Sequence, residues 1–341
     1  MGRLVTSNYD LASRCNLHCE GCLFFAGDDY KQYAEVTDLG AWRAFFRSER
    51  ARGVNFGYFA GAEPSMELER LRIADAYIDR GVIFTNGLVP IPRDISFRIH
   101  VSIWGDEAQS IQTRGAGNLK ALKHYRGDPR VAFVFTVTAT NIHTIHAIAA
   151  AVQDTGSRLT FNLFSPTTKY LNERAGLDAE DRKFFRRRGT SATPVLGADD
   201  LRRATDEIYR AIADFPQAVL YSPHFHDWVT RPEGIYELDP ATGIARNCGN
   251  RLSERHRHYN VDLSATAAKC CSPNIDCSQC RAYAMSYATF LKAQATPRVR
   301  TAASAEWLEV WDIWARLFLG EDEGAPVPPS LAVAMESEMA L

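Results

Sequence analysis

The feature that most constrains the fold of this chain is an alternation of short apolar runs with longer helical patterns over its first ~220 residues. The runs are rich in β-branched residues and predict six strands, at 4–7, 55–60, 82–85, 97–103, 131–138 and 159–163. Between them, helical spacing of apolar residues predicts helices at 39–50, 68–79, 119–125 and 142–152. Such a chain is expected to be an α/β protein, with six βα units in a partial barrel whose reactive end follows the strand carboxyl termini.

Composition narrows the class of partner. The 341 residues are 46% hydrophobic and carry a formal net charge of -2. This balance favours a large buried core and does not indicate a nucleic-acid partner. No apolar run approaches the length of a membrane span, so no membrane partner and a cytoplasmic location are expected.

The cysteines fall into two groups. Three lie between positions 15 and 22, five lie between 248 and 280, and none occurs from 23 to 247. Metal binding in a reducing compartment explains this clustering better than disulfide bonds do.

The first group follows the first predicted strand and consists of Cys15, Cys19 and Cys22. A [4Fe-4S] cluster normally takes four cysteines, so three thiolates leave one iron with an open site. The alternative is structural zinc, which needs a fourth ligand. His18 is the only nearby candidate, and its place between two of the cysteines makes that geometry difficult.

The C-x3-C-x2-C spacing after the first strand of a βα barrel resembles the radical S-adenosylmethionine (SAM) superfamily. The resemblance implies that SAM chelates the open iron. The reduced cluster then cleaves SAM to methionine and a 5′-deoxyadenosyl radical, which abstracts a hydrogen atom from substrate. It also implies a reducing partner such as flavodoxin or ferredoxin.

Later strand ends extend this resemblance. Gly61-Ala62-Glu63-Pro64 is similar to the family's Gly-Gly-Glu-Pro segment, which receives the SAM ammonium. Ala62 replaces the second glycine, so that position is expected not to need positive φ. Further SAM contacts are implied at Thr85, Asn86 and Ser102.

The residue before the third cysteine departs from the family pattern. The family usually places an aromatic residue there, beside the adenine of SAM, whereas this chain has Gly21. We expect Phe24 or Phe25 to supply that packing, the alternative for both being a place in the core.

The second group resembles the auxiliary-cluster modules called Twitch and SPASM. The match implies Cys248, Cys270, Cys277 and Cys280 as ligands of one auxiliary [4Fe-4S] cluster, with a zinc ribbon as the alternative. Ala265 stands where those modules have a hairpin glycine. Cys271 is then left over, and it could replace Cys270, lie buried, or donate a hydrogen atom to a substrate radical.

The domain division that follows is 1–221 for the barrel, 222–284 for the auxiliary module and 285–341 for a helical extension. Short strand signals are present at 236–238 and 258–263, and an amphipathic helix is predicted at 307–319. The remaining polar candidates admit ordinary interpretations. His224 with His226, and His256 with His258, would share a face if extended, but no third metal ligand is evident. Asn141 could contact SAM or cap a helix.

The function expected from the sequence is hydrogen abstraction from a small polar metabolite, such as a sugar, aminocyclitol or nucleoside-type natural product, giving dehydrogenation, epimerisation or related remodelling. A ribosomal-peptide maturase is the first alternative. Only 14 residues precede Cys15, which lowers the expectation of an N-terminal peptide-recognition domain. A zinc-binding scaffold is the second alternative.

Overall fold

A parallel seven-stranded sheet organises the molecule. The computed structural model describes residues 4–25, 29–176, 193–249, 255–266, 275–293 and 302–320. The strands are β1 Thr6–Asp10, β2 Phe56–Ala60, β3 Arg80–Thr85, β4 Arg98–Ile103, β5 Val131–Val137, β6 Arg158–Leu163 and β7 Arg257–Tyr259. Their order is β6-β5-β4-β3-β2-β1-β7, and every neighbouring pair is parallel.

The six predicted strands are all present, and the fold is the predicted α/β partial barrel. Of the two short strand signals that follow the barrel, the one at 258–263 overlaps a seventh strand of the sheet, whereas the one at 236–238 forms only an isolated bridge between Leu238 and Ala245. The seventh strand, β7, comes from the cysteine-rich part of the chain and pairs with the outer edge of β1, with His258 opposite Asn8. The additional strand satisfies backbone groups of β1 that would otherwise stand at an open sheet edge.

Helices follow five of the first six strands, and residues 86–97 connect β3 to β4 without one. The helices are α1 Leu39–Ala51, α2 Leu68–Asp75, α3 Glu107–Arg114, α4 Lys120–His124, α5 Ile145–Gln153, α6 Thr168–Gly176, α7 Ala198–Asp214, α8 Pro223–Thr230, α9 Tyr283–Ala293 and α10 Ala302–Trp314. Side-chain caps fix where some begin: Asp38 accepts hydrogen bonds from two amides of α1, and Asp106 accepts one from Gln109 of α3. None of the helices in the described ranges combines the length and apolarity needed to cross a bilayer.

An aromatic core lies on the outer, helix-covered face of the sheet. Tyr9 of β1 is fully buried there, with its ring 5.1 Å from that of Phe46 on α1 and 5.5 Å from that of Phe59 on β2. Side chains alternate along a strand, so the residues beside Tyr9 face the barrel interior. Burying each large apolar side chain contributes about 1.5–3 kcal/mol, which anchors β1 in register.

The C-terminal helices cover part of the inner face. After α10 the chain makes a π-helical turn, Ala315–Leu319, whose Phe318 is fully buried 5.0 Å from the ring of His100 on β4. The His100 Nε2 atom donates to the carbonyl of Leu317 at 3.0 Å. The predicted helix over 307–319 is therefore present, and it packs onto the barrel strands. The segment after Gly320 lies outside the described residues.

Candidate active site

A cavity of about 360 Å³ opens inside the barrel and extends to the carboxyl ends of its strands. Its walls bring together residues that lie far apart in the sequence. Lining it are all three cysteines of the first group, Cys15, Cys19 and Cys22, and the predicted SAM-contacting residues Gly61, Ala62, Glu63, Thr85, Asn86, Ser102 and Phe24. One cavity therefore holds every residue assigned to the barrel site.

The cysteine loop is held by the last turn of α3. The amide of His18 donates to the Arg114 carbonyl at 2.9 Å, and the amide of Glu20 donates to the Thr113 carbonyl at 2.7 Å. Glu20 also accepts a hydrogen bond from the Tyr170 hydroxyl at 2.6 Å. Gly115 ends α3 at a φ of 91°, a left-handed conformation that favours glycine. The loop is thus fixed by backbone as well as side-chain contacts.

Hydrogen-bond donors surround the thiols. The Leu17 amide lies 3.3 Å from Cys15 Sγ, the Asn86 Nδ2 atom lies 3.7 Å from the same sulfur, and the Arg114 Nε atom lies 3.4 Å from Cys19 Sγ. Donors of this kind stabilise sulfur ligands that carry negative charge. The donor set therefore fits an iron-sulfur cluster.

Among the described residues, no three His, Cys, Asp or Glu side chains are placed to hold one metal ion together. In a [4Fe-4S] cluster each thiolate binds a different iron.

Burial suppresses ionisation of the unliganded thiols. It raises the pKa of Cys15 to about 11 and the pKa of Cys22 to about 12, and the neighbouring Cys19 adds to both shifts. At neutral pH these groups are protonated unless a cation compensates their charge. Binding of a metal cluster is therefore expected to release protons.

Glu63 joins the ends of β2 and β3 from a buried position. Its Oε1 atom accepts from the Thr85 hydroxyl at 2.6 Å and from the Ser65 amide at 3.0 Å, and its Oε2 atom accepts from the Asn86 amide at 2.8 Å. A carboxylate has about four lone-pair positions, so three donors leave one for a ligand. Asn86 in turn donates to the Asn16 side chain at 2.7 Å, which connects Glu63 to the cysteine loop.

The backbone of Gly61 and Ala62 confirms the expectation that position 62 does not need a positive φ. Gly61 has a φ of 109°, and an added Cβ would lie 2.9 Å from the Leu11 amide nitrogen. Leu263 is the only non-glycine residue with positive φ in the described ranges, so Ala62 adopts an ordinary conformation. Glycine is therefore required at position 61 and not at position 62.

An aromatic residue from another strand fills the space that Gly21 leaves open. Gly21 has a φ of 63°, and a Cβ there would lie 2.6 Å from the Cζ atom of Phe164, just after β6. Phe164 lines the cavity and packs edge-on against Trp104 at 5.7 Å. Phe24 also lines the cavity, whereas Phe25 is buried and does not line it.

Arg114 is a site residue that the sequence did not reveal. It is buried, its Nη1 atom donates to the Ser102 carbonyl at 2.7 Å, and its guanidinium lies 5.8 Å from the Trp104 ring centroid. No other Arg or Lys of the described residues lines the cavity. Asn118 supports the same strand ends by donating to the carbonyls of Asn86 and Ser102. An arginine in the last turn of a helix is common, so no sequence pattern indicated this role.

Two cysteines of the second group lie beside one tyrosine. Cys248 and Cys280 are buried, and both raise the pKa of Tyr236, although burial is the larger cause. The Tyr236 hydroxyl lies 3.9 Å from Cys280 Sγ, and Cys277 is half-buried. The six described cysteines form no disulfide.

The predicted hairpin of this module is described only in part. Ala265 bridges Tyr259, and the turn takes its positive φ at Leu263. The glycine of related modules is therefore not required at position 265. Cys270 and Cys271 lie outside the described residues, so the fourth ligand and the hydrogen donor stay predictions.

The remaining histidines considered as metal ligands, and Asn141, form hydrogen bonds or lie in places that do not indicate a metal or SAM site. α8 is helical, so His224 and His226 do not share a face, and His226 contacts the Thr205 hydroxyl at 2.9 Å. His256 contacts the Thr6 hydroxyl at 2.8 Å. Asn141 neither lines the cavity nor caps a helix through its side chain, which bonds the backbone of Thr138.

Comparison with known proteins adds evidence on the fold. Neither family models nor curated proteins match this sequence. Among solved structures, the chain is similar to anSMEcpe, an anaerobic sulfatase-maturating enzyme, with bound AdoMet and the Cp18Cys peptide. The TM-score is 0.51 at 13% identity, and the match covers 99% of this chain and 96% of the other. The same enzyme with AdoMet and the Kp18Cys peptide matches with a TM-score of 0.51 at 12% identity, over 98% and 97% of the two chains. The whole chain therefore shares this fold.

Proposed function

We propose that this chain is a radical SAM enzyme. The observation that carries the proposal is one cavity that joins Cys15, Cys19 and Cys22 to the Glu63 network at the carboxyl ends of parallel strands. The solved structures that share the fold contain AdoMet, which is SAM. The chemistry that a reduced [4Fe-4S] cluster supplies when bound there is cleavage of SAM to methionine and a 5′-deoxyadenosyl radical, which abstracts a hydrogen atom from substrate.

The cavity residues divide the recognition of SAM among them. Glu63, with the strand-end backbone at Gly61 and Ala62, would bind the ammonium, for which one carboxylate lone pair remains. Arg114 would bind the carboxylate, since among the described residues it is the guanidinium that lines the cavity. Thr85, Asn86 and Ser102 would supply the remaining polar contacts. The aromatic residues Phe24, Trp104 and Phe164 would pack against the adenine.

A peptide is the first substrate class we propose. Both similar structures hold a peptide together with AdoMet, and they match nearly the full length of this chain. A small polar metabolite is the second class, supported by the polar side chains of Asn8 and Asp10 on the cavity wall.

We also propose that Cys248, Cys277 and Cys280 bind an auxiliary [4Fe-4S] cluster, with Cys270 as fourth ligand. The positions of Cys248 and Cys280 beside Tyr236 support this assignment. The module of residues 222–284 would then be joined to the barrel through β7. Cys271 stays a candidate hydrogen donor.

The function is tested by 5′-deoxyadenosine formation. The wild-type protein, reconstituted anaerobically with iron and sulfide, is expected to form 5′-deoxyadenosine from SAM when dithionite is added. Glu63→Gln should lower the rate at least tenfold, whereas Glu69→Gln, on exposed α2 surface, should stay within twofold. An iron-loaded wild-type protein that cleaves no SAM would overturn the proposal.

Substrate class is tested in deuterated buffer with cysteine-containing peptides and with aminocyclitols. A product lighter by two hydrogens indicates oxidation, and a product with one deuterium indicates return of a hydrogen from an exchangeable donor. Turnover of the peptides alone supports a peptide maturase. Turnover of the aminocyclitols alone supports an enzyme that acts on a small polar metabolite.

A further inference from the structure

The inner face of β1 carries two polar residues that the SAM site does not use. Asn8 and Asp10 both line the cavity, because alternate residues of a strand share a face and Tyr9 between them points to the outer core. β7 lies beside them and places His258 opposite Asn8. Asn8, Asp10 and His258 lie on β1 and β7, and β7 is on the opposite side of β1 from β2 and β3, whose ends hold Glu63.

Asp10 has a weak partner inside the protein. Its Oδ2 atom lies 3.4 Å from His258 Nε2, longer than the 2.7–2.9 Å of a strong charge-assisted hydrogen bond. The same His258 nitrogen lies 3.2 Å from Asn8 Nδ2, so two side chains compete for it. No further hydrogen bond reaches the Asp10 carboxylate in the described part of the chain, although its side chain is only 15% exposed.

The other charged groups of the cavity are assigned to SAM or are neutral. Glu63 accepts three hydrogen bonds and Arg114 donates to the Ser102 carbonyl, and the proposed function assigns their remaining capacity to SAM. Burial lowers the pKa of His100 to about 3 and of His256 to about 4, so both are neutral at physiological pH. A largely buried carboxylate is costly without a nearby cation, and the described residues of the cavity wall include no lysine or arginine beside Asp10.

We infer that Asp10 binds an ammonium group of the substrate, with Asn8 and His258 as positioning residues. An ammonium offers three donors and a full positive charge, which complete the coordination of the carboxylate in a water-poor cavity. The inference rests on the proposed function and narrows its substrate to primary amines. The amine could belong to an aminocyclitol or to a lysine side chain.

Calorimetric titration of the iron-loaded, SAM-bound enzyme tests this inference with paired probes. 2-Deoxystreptamine is compared with scyllo-quercitol, the deoxy-scyllo-inositol that has hydroxyls in place of its two amines. Acetyl-Gly-Lys-Gly-amide is compared with its norleucine counterpart, which lacks the ammonium. At least one amine should bind tenfold or more tightly than its neutral counterpart. Preference for 2-deoxystreptamine assigns the amine to a small metabolite, and preference for the lysine peptide assigns it to a peptide.

Substitutions of Asp10 test whether this residue causes the preference for the amine over its neutral counterpart. Asp10→Asn is expected to abolish it, and Asp10→Glu, which keeps the charge, is expected to retain it. Asp94→Asn, which removes a charge from an exposed ion pair with Arg72, should leave it unchanged. Equal binding of charged and neutral probes by the wild type, or a preference that survives Asp10→Asn, would overturn the inference.

Formation of 5′-deoxyadenosine by the wild type without any probe is measured in parallel. SAM cleavage without an amine preference removes this inference and leaves the proposed function standing. Absence of SAM cleavage removes the proposed function, whatever the probes do.

Discussion

Gly61 occupies a backbone position that no other residue fits. Its φ of 109° is unfavourable for a residue with a Cβ, and the added atom would lie within 3.0 Å of the Leu11 nitrogen and the Ala12 oxygen. We predict that Gly61→Ala destabilises the protein by at least about 3 kcal/mol and impairs SAM binding, because both backbone strain and a backbone clash result. Urea unfolding and SAM titration measure the two effects.

Gly127 provides the matched control. It also has positive φ, at 66°, but an added Cβ would meet nothing within 4 Å. Gly127→Ala should therefore cost only about 1 kcal/mol and leave SAM binding intact. Equal destabilisation by the two substitutions would show that the contact with Leu11 and Ala12 is not what requires glycine at position 61.

Three buried histidines make stability depend on pH. Burial lowers the pKa of His100 to about 3, and of His226 and His256 to about 4, below the ordinary value of 6.5. Between the folded-state pKa values and pH 6.5, these three histidines are protonated in the unfolded chain and neutral in the folded chain. Stability is therefore complete above pH 6.5 and falls as the pH decreases below it.

The expected loss between pH 6.5 and 5 is about 5 kcal/mol, since each of the three groups contributes up to about 1.4 kcal/mol per pH unit and half of that slope at pH 6.5. Carboxylates with lowered pKa, such as Glu35 and Asp128, add their losses only at lower pH. Urea unfolding at pH 7.5, 6.5 and 5 gives the result. A free energy of unfolding that stays constant across this range would contradict the assignment of these histidines as neutral and buried.

At single positions, the sequence predicted which residues line the cavity where a particular chemistry requires a particular residue type. Cysteine spacing predicted Cys15, Cys19 and Cys22, and the strand-end pattern placed Glu63 and Asn86 in the same cavity. Arg114 and Asp10 could not be predicted, because their roles depend on how α3 and β7 dock against other elements. Phe164 was missed for the same reason, since it reaches Gly21 across the sheet.

The C-terminal π-helical turn stabilises the barrel from its inner face. Phe318 packs 5.0 Å from His100 and 6.2 Å from Tyr58, on strands far away in the sequence. We predict that Phe318→Ala costs about 3–5 kcal/mol, because the cavity it leaves lies between this turn and the sheet. Leu308→Ala on the exposed face of α10 should cost less than about 0.5 kcal/mol.

Urea unfolding followed by tryptophan fluorescence compares these two variants. A mild effect of Phe318→Ala, close to that of Leu308→Ala, would show that α10 and its π turn are not integral to the barrel. Sequence patterning predicted a helix here but not its docking site, because an amphipathic pattern shows which face is apolar and not which surface covers it.

At the scale of the whole molecule, the alternating pattern predicted the sheet and its six central strands correctly. A short strand signal at 258–263 marked the seventh strand, but its pairing with β1 was not predicted, because the whole barrel separates the two strands in the sequence. This pairing places His258, within the cysteine-rich segment, next to Asn8 and Asp10 of the barrel. The described cysteines of that segment, Cys248, Cys277 and Cys280, do not line the barrel cavity.

The most direct test of the central claim is iron content and 5′-deoxyadenosine formation, measured together on three anaerobically reconstituted proteins. The wild type should hold about eight irons, since two [4Fe-4S] clusters hold four each, and should cleave SAM. Cys19→Ala should hold about four and form no 5′-deoxyadenosine. Cys277→Ala should also hold about four but still cleave SAM. A colourless wild-type protein that binds zinc and cleaves no SAM would contradict the account.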